Sequence, residues 1–213
     1  ATAFGLAVAP RLTFAQATNV TVANVISGAG AVIKTGAGTV TLTGANTYSG
    51  GTTLNQGTLS ISSVGNLGDA SGGLTFGGAS TLQVTASFAT ARAVTLNANG
   101  TVEVTTGQNF NVDGTITGTG GIIKTGSGTL TLTGTNFYMG GTTISAGTVS
   151  VSSDVNLGAS GTTVTIRSAS AYDPGTGLGA GSTLRVTADM ATSRTIAFDN
   201  FGGRIDIATG TDT

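Results

Sequence analysis

Seventeen consecutive residues return, ninety positions later, in nearly the same order. Gly28–Gly44 reads GAGAVIKTGAGTVTLTG and Gly118–Gly134 reads GTGGIIKTGSGTLTLTG. The same offset pairs Asn46 with Asn136, Tyr48 with Tyr138, Gly50-Gly51 with Gly140-Gly141 and Asn66-Leu67-Gly68 with Asn156-Leu157-Gly158. Backward it pairs Asn19 with Asn109 and Val22 with Val112. Forward, Leu82-Gln83-Val84 meets Leu184-Arg185-Val186 at an offset of 102, so twelve residues are inserted, near Ser170 to Gly181. A Gly-rich insertion of this size reads as a loop between strands. The chain divides into units 19–108 and 109–213 behind leading strands 1–18, and repetition on this scale marks an array of stacked elements.

Within each unit the pattern is that of short strands. Thr39-Val40-Thr41-Leu42-Thr43, Thr81-Leu82-Gln83-Val84-Thr85 and Thr101-Val102-Glu103-Val104-Thr105 alternate strictly, with Val or Leu on one side and Thr, Gln or Glu on the other. One face is dry and the other wet, which predicts Val40, Leu42 and Leu132 inside and Thr41 outside. Phe4 to Ala9 and Leu12 to Phe14 also read as strands rather than as the tail of a secretion signal. Helix is disfavoured throughout, because thirty-six glycines and many β-branched residues leave no uninterrupted turns.

Composition closes several function classes. There is no His and no Cys, so imidazole or thiolate metal sites, a His-based triad and disulfides are excluded. Eight Lys plus Arg against nine Asp plus Glu leave a net charge of −1, with no footprint for nucleic acid. No run of about 20 apolar residues is present, so no membrane-inserted helix is expected. Disorder is also excluded, since charged residues are only 8% and mean hydropathy is +0.29.

A ninety-residue unit with nine or ten strand signals is several turns of something. A parallel β-solenoid with three strands per rung, about 20 to 25 residues a turn, would give nine or ten rungs and a rod of about 45 Å. Dense Gly and Asn would supply its corners. An antiparallel sandwich with regular turn spacing is the competing architecture, and periodicity alone does not separate the two.

A resemblance separates them. Lys34 through Thr53, KTGAGTVTLTGANTYSGGTT, followed by Gly57-Thr58-Leu59, resembles the autotransporter-associated β-strand repeat of bacterial autotransporter passenger domains. The second copy is similar, from Lys124 through Gly141-Thr142-Thr143 to Gly147-Thr148-Val149, but departs at Phe137 and Met139, where the first has Thr47 and Ser49. The resemblance implies a right-handed parallel β-helix, carried across the outer membrane and displayed at the cell surface, without catalytic residues.

Individual residues invite weighing. Lys34 and Lys124, the only lysines, are expected as solvated side chains at rung corners rather than ligand-contacting cations. Tyr48 and Tyr138 are either stacking platforms for a partner or rings covering the corner core with their hydroxyls satisfied locally. Phe137 and Met139 put larger apolar groups near one turn and join them as candidate corner contacts. Asn46 and Asn136 are expected to bond backbone groups at turns, or to stack as a ladder. Tyr172, Asp173 and Pro174, in the insertion, form the candidate contact loop.

The acids are spread along the chain, and Glu103 and Asp206 read as equivalent wet-face positions about four rungs apart, too far to share one reacting bond. A calcium-binding nonapeptide is missing, and the Asn19 and Asn99 sequons presume a eukaryotic host. Thr-x-Thr pairs such as Thr39/Thr41 and Thr129/Thr131 suggest an ice-binding rival, but they read as recurring only after ninety residues. The sequence therefore predicts a non-enzymatic, surface-displayed stalk or adhesin with no cofactor and no metal. Its partners would be further copies of itself or host and matrix molecules. No capping segment is evident, so a piece of a longer passenger and a subunit stacking end to end into a filament are both consistent with it.

Overall fold

The computed structural model describes residues 10–167, 181–199 and 203–208. Its strands are two to five residues long, separated by corners rich in Gly, Asn and Ser. They assemble into three sheets in which every strand pairing is parallel. In chain order the strands alternate between the first two sheets up to Ser80–Val84, pass through all three up to Thr129–Leu132 and then alternate between the second and third, each turn stacking on the one before, so the chain is a coil of about nine turns.

The first sheet holds Arg11–Phe14, Ala31–Lys34, Thr52–Leu54, Leu74–Phe76, Val94–Leu96 and Ile116–Thr117. The second runs through nine strands, from Val20–Val22 and Thr39–Leu42 through Gly100–Val104 to Ile196–Phe198. The third holds Phe88–Thr90, Asn109–Val112, Thr129–Leu132, Thr148–Val151, Thr183–Val186 and Arg204–Ile207. Parallel strands need long crossovers, and here the other faces of the coil serve as the crossover. The sandwich alternative is thereby set aside.

Alternation decides what goes inside. Val40, Leu42, Leu59, Leu82, Leu132, Ile144, Val149 and Leu184 are fully buried, and they belong to one continuous core. In register, Val40 sits on Leu59, Leu59 on Leu82 and Leu82 on Val102, so like residues stack at the ~4.8 Å strand spacing. The intervening Thr residues point outward and are half-buried.

Turn length varies with the corners: 19 residues separate Val40 from Leu59, 23 separate Leu59 from Leu82, and 35 separate Val149 from Leu184 across the insertion. Four turns carry Val32 through Thr52, Leu74 and Val94 to Ile116, a span of 84 residues, and ninety residues carry it to Ile122 on the next sheet. The sequence repeat is therefore four turns and one face. Ala31–Lys34 lies on the first sheet and its counterpart Ile122–Thr125 on the second; Thr39–Leu42 lies on the second and its counterpart Thr129–Leu132 on the third. The same advance relates Leu74–Phe76 to Val164–Ile166 and Ser80–Val84 to Thr183–Val186.

One expectation is corrected by this geometry. Glu103 is on the second sheet and Asp206 on the third, so they are not equivalent positions. Single threonines do stack on successive turns, Thr39, Thr58, Thr81 and Thr101, followed by Ile123, Thr143 and Thr165, but the Thr-x-Thr pair does not. The neighbouring column reads Thr41, Ser60, Gln83, Glu103, so the face is not a paired array of threonines.

Candidate functional site

The residues that recur between the two copies converge on corners of the coil, where they are internal fittings. Lys34 and Lys124 occupy inward positions at strand ends, with relative exposures of 1% and 0%. This overturns the solvated-corner expectation. Their stems stack in register with Leu54 and Ile144. Lys124 Nζ donates to the carbonyls of Thr125 (2.6 Å), Gly126 (2.6 Å) and Ala146 (3.2 Å). Lys34 Nζ donates to Gly36 O and, at 3.3 Å, to Gln56 O. Each ammonium thus ties its own corner to the corner one turn on. Burial lowers both lysines' pKa, that of Lys124 to about 8 against an opposing pull from Glu103.

The glycine that follows one turn later belongs to the same fitting. Gly57 and Gly147 have φ of +71° and +69°, and a Cβ there would stand 2.7 and 2.9 Å from the lysine Nζ. Only glycine meets both requirements.

Asparagines stitch the adjoining corner. Asn46 Oδ1 accepts from Ile26 N at 2.8 Å while its Nδ2 donates to Asn66 O at 2.7 Å. Asn136 repeats this with Ile116 N and Asn156 O, also at 2.8 and 2.7 Å. Asn66 and Asn156 each accept from two backbone amides of their own turn and reach back to the carbonyls of Gly44 and Gly134. The result is a ladder of carboxamides running through backbone groups that would otherwise be buried without partners.

Tyr48 and Tyr138 are 1% and 0% exposed, with hydroxyls 2.7 and 2.6 Å from Thr52 and Thr142 Oγ1. Neither ring offers a face to a partner, so the contact reading of the two tyrosines is corrected. Burial raises both phenols, Tyr138 to about 12. Phe137 and Met139, on either side of Tyr138, point the other way and are 56% and 65% exposed. Tyr172, Asp173 and Pro174 lie outside the described residues; the strand after the insertion, Thr183–Val186, stays in register with Thr148–Val151, Val149 pairing with Leu184.

Sequence reasoning missed the arginines. Arg92 and Arg194 stand 102 apart, in Thr90-Ala91-Arg92 and Thr192-Ser193-Arg194, a match the offset would have revealed. Both are buried. Arg92 donates to the carbonyls of Asp69, Gly68, Gly72 (2.7 Å) and Val64 (3.4 Å) around the short 3-10 turn Val64–Leu67. Arg194 does the same around Asp154–Leu157, reaching Asp154 O, Gly158 O, Leu157 O, Ala159 O and Thr162 Oγ1. Its Nε also meets Asp154 Oδ1 at 2.7 Å.

The described carboxylates are mostly engaged in holding structure. Asp69 accepts from Ser71, Asp113 from Thr133, and Asp154 from Arg194 and Thr192. Asp199 and Asp206 face Arg167 and Arg204 at 3.7 and 2.9 Å. Among the described residues no cluster of three or more acids could hold a metal ion, and no helix is long and apolar enough to cross a membrane.

Both fittings fall inside a known sequence family. The passenger-associated-transport-repeat family matches residues 32–61 and 122–151, each segment carrying a buried lysine, the Asn–Tyr–Thr corner and the glycine that faces the lysine. The adhesin BmaC autotransporter of Brucella suis biovar 1 (strain 1330) is 49% identical over 105 residues, 49% of this chain. These two segments match the passenger-associated transport repeat, and the chain is similar to autotransporter passenger sequence. It spans 3% of the length of that relative. No solved structure matches it.

Proposed function

We propose that this passenger coil is a non-enzymatic stalk of a surface-displayed adhesin, exported across the outer membrane. The observation that carries the reading is the unbroken main-chain register over about nine turns, reinforced at repeated corners by buried Lys, Asn and Arg. Each turn templates the next, and the product is a stiff spacer with a sparsely charged, hydroxyl-bearing exterior. Similarity to a protein named an adhesin supports attachment as the purpose of such a spacer. Attachment by a rod of this kind rests on many weak contacts acting together.

The test is bead adhesion. Beads coated with the purified chain should hold to matrix-coated, glycan-coated or chain-coated surfaces under flow, with retention rising steeply with coating density. Retention no better than that of albumin-coated beads on all three surfaces would contradict the adhesin reading. Turnover of a soluble polysaccharide would contradict the non-enzymatic one.

A further inference from the structure

The four-turns-and-one-face advance of the repeat places parts of the two copies on one surface. On the first sheet the outward positions Ile33, Thr53, Thr75, Thr95 and Thr117 stack turn upon turn. The corner segment of the second copy then continues this sheet, because Phe137 N donates to Ile116 O and Met139 N to Gly118 O. In parallel register those bonds set Phe137 directly on Thr117. The column of threonines thus ends in an exposed phenyl ring, with Met139 beside it. The first copy's corner lies on the third face, where Thr47 and Ser49 occupy the corresponding places. The two apolar exchanges between the copies therefore fall at the end of the threonine column.

The parallel column on this face is equally uncharged. Asn55, Gly77 and Asn97 follow Thr35 through the bonds Asn55 N to Lys34 O, Gly77 N to Leu54 O and Asn97 N to Phe76 O. From Ile33 to Phe137 neither column carries a charged outward side chain, since Lys34 is turned inward. The face therefore offers hydroxyls and carboxamides at one-turn intervals, closed by an aromatic platform and free of formal charge.

We propose that this first face is a docking surface for a linear, uncharged polysaccharide laid along the axis of the coil. Hydroxyl and carboxamide groups match the donors and acceptors of sugar hydroxyls. The exposed ring packs against the apolar face of one sugar. A β-1,4-linked glucan advances by about one strand spacing, ~5 Å, per sugar, so successive residues meet successive turns. The absence of charge selects a neutral polymer over an anionic one, which gains nothing here. The proposal rests on the adhesin reading and names the class of molecule it would grip.

Affinity electrophoresis through gels containing hydroxyethyl cellulose, with alginate gels as the anionic counterpart, tests it. The chain should be retarded by the neutral polymer and not by alginate. Phe137→Ala and Thr95→Glu should each weaken retardation about fivefold to tenfold. Thr81→Glu, on the second sheet, should stay within about twofold. All three positions are solvent-facing, and unchanged thermal unfolding confirms that each variant is folded. Lack of retardation, equal retardation by alginate, or equal loss from Thr81→Glu would overturn the proposal. So would sedimentation showing that Phe137→Ala abolishes self-association instead. Beads that still adhere to matrix while the gels show no retardation would overturn this face and leave the stalk reading standing.

Discussion

The two copies of the repeat solve the same problem with different help. Arg92 and Arg194 each fill the mouth of a 3-10 turn and collect its outward-going carbonyls. Arg194 has every donor engaged, and Asp154 supplies the carboxylate for its Nε at 2.7 Å. In the first copy the position of Asp154 is held by Val64, and Arg92 Nε is buried without a partner among the described residues. Burial lowers the pKa of Arg92, and the exposed Asp69 is the carboxylate that opposes it. The difference shows what a repeat preserves. The cation and the carbonyl cage recur, while the counter-charge is optional, because the cage alone satisfies most of the guanidinium.

Removing the arginines should break the comparison most visibly. Arg194→Ala leaves a cluster of carbonyls and the Asp154 carboxylate without their partner, and should cost about 3–5 kcal/mol in denaturant unfolding. Arg92→Ala should cost less, about 2–3 kcal/mol, since no carboxylate is orphaned. Equal losses would mean that Asp154 adds nothing.

Burial gives both lysine corners a pH response of the same sign. Lys124 holds its proton less tightly when folded, at about 8, than at its ordinary 10.5. The unfolded chain therefore binds more protons between those values, and stability from this group rises with pH across that window, by on the order of 2–3 kcal/mol. Tyr138 acts in the opposite sense. Its pKa is raised from 10.0 to about 12, so its contribution is intact below pH 10 and is lost as pH climbs toward 12. Unfolding free energy should rise above pH 8 and fall again above about pH 10. Lys124→Met should flatten the rising limb, and Tyr138→Phe the falling one.

Supplying the missing carboxylate sharpens the comparison further. Val64→Asp should bring a carboxylate to Arg92 Nε and stabilise the first copy by about 1–2 kcal/mol, measured as a raised denaturation midpoint. A midpoint lowered by this change would mean that the two turns are not superposable. Smallest of all, exchanging the exposed corner residues, Thr47→Phe or Phe137→Thr, should alter stability by less than about 0.5 kcal/mol.

Much of this architecture was legible because strand alternation and turn spacing are local. Val40, Leu42 and Leu132 are inside and Thr41 is outside, as the two-residue period requires. The number of turns followed from dividing the chain by a plausible turn length. The face on which each strand lies did not, because it depends on the sum of corner lengths, and one residue more or less per corner accumulates over four turns. Glu103 and Asp206 were misplaced for that reason. The lysines were misread for another. Charge argues for solvent, yet Lys34 and Lys124 sit two residues after Val32 and Ile122, on the inward phase of their strands, and a cage of corner carbonyls makes that position tolerable. Part of that cage, Gly36 O or Thr125 O and Gly126 O, is the lysine's own corner, but it is closed by Gln56 O or Ala146 O one turn away, which no local pattern announces.

The central claim is that ninety residues advance the coil by four turns and one face, so that equivalent residues look out in different directions. Spin labels on cysteines at Thr41 and Thr125 test it against labels at Thr41 and Thr131. Thr41 and Thr125 share one column, four strand spacings or about 19 Å apart. Thr131 is the sequence equivalent of Thr41 but lies on the third sheet. Pulsed electron–electron distances should be shorter for the 41/125 pair than for the 41/131 pair; the reverse order would place the two copies on the same face and contradict the account.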